Sequence, residues 1–110
     1  MTQLSYDNIF EAMSDDSRES ADLQFRAEMI IAIRSYCEHN NLTRAQLAKI
    51  LCVPQPRVSE LMNGKINLIS SDKLIDYAAK MGFHFHPVFK PSTSKKQSTI
   101  EIEVEEQEVA

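Results

Sequence analysis

The sequence predicts an all-α domain of four or five helices that ends in a short C-terminal β-strand and an acidic tail. Apolar residues recur at three- and four-residue spacing through four runs between positions 21 and 81. Helix-starting and helix-stopping residues bracket those runs, and beyond Gly82 the period shortens to two. The implied organisation is an N-terminal segment with a short helix over 1–20, a helical domain over 21–82, and C-terminal strand, polar linker and tail over 83–110.

Residues 4–13 are spaced for a short helix, and "SDDSRES" after them reads as a loop leading to a helix start. From Ala21 to about Asn40, Leu23, Ala27, Ile30 and Cys37 share one helical face, and Phe25, Met29, Ala32 and Tyr36 share a second. Such a helix packs on two sides. Asn41 suits a left-handed terminator, and Thr43 with Gln46 three residues later forms a capping box. The second helix therefore spans about Arg44 to Leu51, with Leu47, Ala48 and Leu51 inward.

Cys52, Val53 and Pro54 leave room only for a sharp corner before "QPRVSELMN", where Val58, Leu61 and Met62 fall at helical spacing. Pro54 and Pro56 are tolerated near a helix start, because the N–H groups they lack would have had no partner there. Asn63-Gly64 supplies the stop. A fourth helix is expected from Ser71 to Met81, with a serine N-cap, Leu74, Tyr77, Ala78 and Met81 inward, and Gly82 as terminator. "FHFHPVF" and "STIEIEVEE" then alternate as strands do, with Pro87 confining the first to a sheet edge or a bulge. The linker "KPSTSKKQS" is long and polar for a tight hairpin, so the second segment is expected as a strand or as a tail that orders on a partner.

The 110 residues, 43% hydrophobic and 25% charged, make one domain with one core. Cys37 and Cys52 lack a CxxC partner, no signal peptide precedes them, and no apolar run approaches the roughly 20 residues of a membrane helix. The expectation is a reduced, cytoplasmic protein with no membrane association. Net charge is -4, but the charge is unevenly placed. Residues 1–42 carry eight acidic groups against three arginines, whereas residues 43–65 hold Arg44, Lys49, Arg57 and Lys65 against Glu60 alone. A local basic surface matters more to an anionic partner than the overall pI.

Two short helices joined by a three- or four-residue turn and closed by further helices follow the order of a helix-turn-helix. In that arrangement the first helix crosses the phosphate backbone and the second projects its N-terminal residues into the major groove. Gln55 and Arg57 would stand on that first turn, where glutamine pairs bidentately with adenine and arginine with guanine. The free helix N-terminus adds N–H groups and partial positive charge.

The run "LTRAQLAKILCVPQPRVSELMNGK" resembles the Cro/C1-type (XRE) helix-turn-helix. Over residues 8 to about 91, including "DKLIDYAAKMG", the chain is similar to the branch that contains HigA-like antitoxins and related small XRE regulators. The resemblance implies a lambda-repressor-like DNA-binding domain, usually a homodimer, that binds a double-stranded operator with an inverted repeat near its own promoter. In antitoxins it also implies a cognate toxin. By position, the resemblance puts Gln55, Pro56 and Glu60 at base-facing sites with Arg57 and Ser59 beside them, and Arg44, Asn63 and Lys65 at phosphate sites with Thr43 nearby. Two positions depart from the pattern. Cys52 stands where the turn glycine is common, which leaves either a strained non-glycine turn or a different path. Pro54 replaces the usual polar N-cap. Arg44, where many relatives carry glutamine, should strengthen phosphate attachment.

Other readings of the same residues stay open. Arg57 would serve a phosphate as well as a guanine, and Glu60 has Arg57 or Lys65 as an ion-pair partner. His84 and His86 lack a third ligand at metal-binding spacing and read as a strand surface, Cys37 as core, Cys52 as a turn residue. No cofactor is implied, and the absence of a glycine-rich phosphate loop or a nucleophile–base pair points away from an enzyme. The alternatives to an autoregulating antitoxin are a stand-alone phage or chromosomal regulator, and a protein-interaction module whose acidic segments neutralise a basic partner.

Overall fold

Each of the four apolar runs forms a helix, and a two-stranded sheet follows them. The structure is a computed structural model that describes residues 15–106. Its elements are α1 (Asp15–His39), α2 (Arg44–Leu51), α3 (Gln55–Met62), a 3-10 turn (Ile66–Leu68), α4 (Ser71–Lys80), β1 (Phe83–Lys90) and β2 (Thr99–Glu106). The short helix expected over 4–13 lies outside the described residues.

One core joins the four helices. Leu47 and Leu51 of α2, Val58 and Leu61 of α3 and Leu74 of α4 are buried to 1% exposure or less, and Ile30, Ile33 and Cys37 of α1 close over them. Each such aliphatic side chain contributes about 1.5–3 kcal/mol by leaving water, so this cluster sets how the short helices sit on one another. Tyr77, Ala78 and Met81 complete the α4 face as expected. Cys37 is a free thiol within the core, where burial pushes its pKa up and keeps it protonated.

Two expectations need correction. The "SDDSRES" stretch is helical from Asp15 rather than a loop, so α1 runs unbroken across positions 20 and 21. Leu23 is exposed rather than inward, and Ile33, one turn from Ile30 and Cys37, takes the buried place instead. The start of α4 is as expected: the helix begins at Ser71 behind a serine cap, Ser70, whose hydroxyl accepts from the Lys73 N–H.

Ser71 has another task. Its hydroxyl donates to the Asp22 carboxylate, which also pairs with Arg26 at 2.6 Å, and Arg26 donates to the Ile66 carbonyl at 3.2 Å. This cluster ties the N-terminal part of α1 to the 3-10 turn and the start of α4. At the other end of α4, Lys80 donates to the Leu51 carbonyl at 3.1 Å and so satisfies a C-terminal carbonyl of α2.

The second alternating segment is a paired strand. β1 and β2 run antiparallel in register Phe83↔Glu106, Phe85↔Val104, Pro87↔Ile102 and Phe89↔Ile100 on one face. The other face pairs His84↔Glu105, His86↔Glu103, Val88↔Glu101 and Lys90↔Thr99. Pro87 costs little because both strands of a two-stranded sheet are edges. The hairpin docks through Phe83 and Phe85, which pack against the helical core, and Tyr36 of α1 meets Phe83 edge-on at 5.1 Å and donates to Glu106 at 3.1 Å.

The Ser71 hydroxyl, and with it the Arg26 guanidinium, holds the Asp22 carboxyl below the usual carboxylate range. A lowered folded-state pKa stabilises the fold above the unfolded value, about pH 3.9, and that contribution disappears as pH falls through the folded-state value. Asp22→Asn should therefore lower the urea midpoint at pH 7, and the gap to the parent chain should shrink by pH 3. An equal gap at both pH values would show that the carboxylate charge contributes nothing.

Candidate nucleic-acid interface

The geometry of the α2–α3 corner follows from how each helix begins and ends. At the start of α2 the capping box is complete: the Gln46 N–H donates to the Thr43 hydroxyl at 3.1 Å, and the Thr43 N–H donates to the Gln46 side chain at 2.8 Å. Thr43 is thus a cap first, and its hydroxyl keeps a proton to donate to another acceptor. Three helix ends share one termination. The Asn41 and Leu42 N–H groups return to Glu38 and Cys37, those of Cys52 and Val53 to Lys49 and Ala48, and those of Gly64 and Lys65 to Leu61 and Glu60. This is the Schellman pattern, which needs a left-handed residue at its pivot. The pivots are Asn41 (φ 55°), Cys52 (φ 57°) and Gly64 (φ 67°).

Cys52 thereby resolves the alternatives left by the sequence. The turn keeps its left-handed pivot and a non-glycine residue occupies it. The chain then passes Val53 and enters α3 from Pro54, which is extended (φ -65°, ψ 152°) and makes no side-chain cap. Gln55, Pro56 and Arg57 form the first turn of α3, and all three are exposed. With Val58 and Leu61 inward, the helical period turns Pro56, Ser59, Glu60 and Asn63 to the side away from the core, flanked by Gln55 and Arg57.

Two side-chain contacts tie this surface together. Arg44 of α2 donates to the Ser59 hydroxyl at 3.2 Å across the helix pair. Arg57 reaches both oxygens of Glu60 at 3.3 Å on the α4 side of α3. Glu60 therefore pairs with Arg57 in the free protein, as one reading of the sequence held. An ion pair three residues apart on an exposed helix is worth about 0.2–0.5 kcal/mol, so an approaching phosphate or base readily takes Arg57 from it. Asn63 and Lys65 are exposed at the far end of α3, about 12 Å from Gln55 by the rise of a helix. They flank Gly64.

Beside Arg57 a shallow cleft of about 340 Å³ separates α3 from the start of α4, lined by Val53, Pro54, Glu60, Ser70, Lys73 and Tyr77 among others. Lys73, exposed on the first turn of α4, adds a cation that sequence reasoning did not single out. A lone lysine on a helix surface carries no local signal; only the packing of α4 beside α3 makes it a neighbour of Arg57.

A family model described as a helix-turn-helix domain matches residues 12–87. The chain belongs to this helix-turn-helix family. Among curated proteins, none matches the sequence. The family match spans all four helices and the first part of β1, so the α2–α3 corner lies within the domain it describes.

Placing a side chain with a Cβ at a left-handed pivot costs about 1–2 kcal/mol, partly offset by the extra freedom glycine has when unfolded. Cys52→Gly should raise stability by about 0.5–1 kcal/mol in a urea titration. A loss of stability would mean that the Cys52 side chain contributes more than its backbone strain removes.

Proposed function

We propose that this protein is a sequence-specific DNA-binding transcriptional repressor of the Cro/C1 type. It acts as a homodimer on an inverted repeat with half-sites about one helical turn apart. Within that class, the reading favoured by the resemblance over residues 8 to 91 is the autoregulating antitoxin of a type II toxin–antitoxin pair, working in the cytoplasm. The observation that carries the DNA-binding reading is the exposed first turn of α3, with Gln55, Pro56 and Arg57 at the corner of a matched helix-turn-helix domain.

In this account α3 enters the major groove by its N-terminal end. Gln55 and Arg57 read base edges, Pro56 brings an apolar contact, and Ser59 and Glu60 border them, Glu60 accepting from a cytosine amino group once Arg57 has left it. Thr43 and Arg44 at the start of α2, and Asn63 and Lys65 beyond α3, hold the phosphates on either side. The Arg44–Ser59 hydrogen bond supports this division, because it fixes the phosphate-binding arginine relative to the reading helix. No helix among the described residues is long and apolar enough to cross a membrane.

Gln55→Ala and Arg57→Ala should each cost about 1–3 kcal/mol on the cognate operator and relax specificity at one base pair. Arg44→Ala and Lys65→Ala should weaken cognate and random duplexes alike and reduce the salt slope by about one unit each. Fluorescence anisotropy at two salt concentrations separates the outcomes. Equal losses on both duplexes for all four variants would remove the base-reading assignment.

A further inference from the structure

The two faces of the β-hairpin differ in chemistry. His84, His86, Lys90, Glu101, Glu103 and Glu105 stand on one, and Lys90 meets Glu101 at 2.7 Å. The other is apolar, and only its inner end is covered. Phe83, Phe85 and Val104 reach the helices, while farther out Phe89 is 65% exposed, Ile100 74% and Ile102 50%. The uncovered strip runs inward past Val104 into an apolar cleft of about 260 Å³ beside Met29, Ala32 and Tyr36. An overhanging apolar sheet face of this kind is unusual on a monomer.

We infer that the apolar hairpin face is the dimer interface, occupied by the same face of a second copy about a two-fold axis. Area supports this occupant. The exposed parts of Phe89, Ile100, Ile102 and Val104 amount to about 400 Å². Doubling that for two copies and adding Pro87 and the cleft walls gives on the order of 1,000 Å², the lower bound for a specific interface.

Edge-to-edge pairing is disfavoured. A β2–β2 seam would oppose glutamates with glutamates, and a β1–β1 seam would meet Pro87, which has no N–H to donate. Face-to-face packing buries the apolar residues at the usual 10 Å sheet separation and leaves every charge of the polar face in water.

The interface rests on the proposed DNA-binding reading only in that an inverted repeat calls for a two-fold dimer. No hairpin residue lines the cleft beside Arg57, so the two surfaces are separable. Sedimentation velocity on the full chain without DNA tests the interface. The parent protein should be a dimer at about 100 µM. Ile100→Thr/Ile102→Thr, which keeps β-branched side chains, should raise the dimer dissociation constant at least about tenfold with an unchanged circular dichroism spectrum. Ile31→Thr, which alters an exposed isoleucine on α1 outside this face, should leave it unchanged.

A monomeric parent, or a dimer indifferent to the threonine pair, overturns the interface. A dimer that behaves as expected but distinguishes no DNA sequence leaves the interface standing and defeats the DNA-binding reading instead.

Discussion

The three-residue corner between α2 and α3 is the constraint on which the rest depends. Cys52 turns the chain through a left-handed pivot, Val53 packs partly against the core, and Pro54 starts the next helix without a polar cap. A corner this short permits few crossing geometries. The choice among them is made by Leu47, Leu51, Val58 and Leu61, which bury together and against Leu74. Those leucines and the valine thereby determine which residues of α3 are left facing outward. Everything at the candidate interface follows: Pro56, Ser59, Glu60 and Asn63 lie outward because Val58 and Leu61 lie inward.

The surroundings stiffen that corner with polar bonds rather than more apolar area. Lys80 closes the carbonyl end of α2, Arg44 bridges α2 to α3, and the Asp22–Arg26–Ser71 cluster holds α1 to the start of α4. None of these bonds is large alone. Together they fix the relative positions of α1 and of three helices, α2, α3 and α4, that are each too short to be stable in isolation. The Arg57–Glu60 pair differs in kind, since it is exposed and weak, and it holds the arginine on the reading surface until a stronger acceptor arrives.

Local patterns made much of this legible. The capping box at Thr43, the inward faces of α2 and α4, and the left-handed Asn41 are properties of a few adjacent residues, and the structure has them as the sequence suggested. What was illegible depended on distance. The polar stretch at 15–20 resembles a loop in composition, yet it continues a helix whose Asp22 and Arg26 find partners 49 and 40 residues away. The pairing of β2 with β1 was hidden by a long polar linker, although the matched apolar faces of Phe83–Phe89 and Ile100–Val104 account for its register. At the candidate interface, Gln55 and Arg57 were readable from their place after the corner. The Arg44–Ser59 bond and Lys73 were not, because both need the crossing angles of packed helices.

Sequence-specific binding through α3 is the central claim, and selection of duplexes from a randomised pool by the full-length protein tests it most directly. The account predicts enrichment of an inverted repeat whose half-site centres lie about one helical turn apart, with an adenine or guanine at the positions facing Gln55 and Arg57. A pool that stays random after repeated rounds at physiological salt would contradict it.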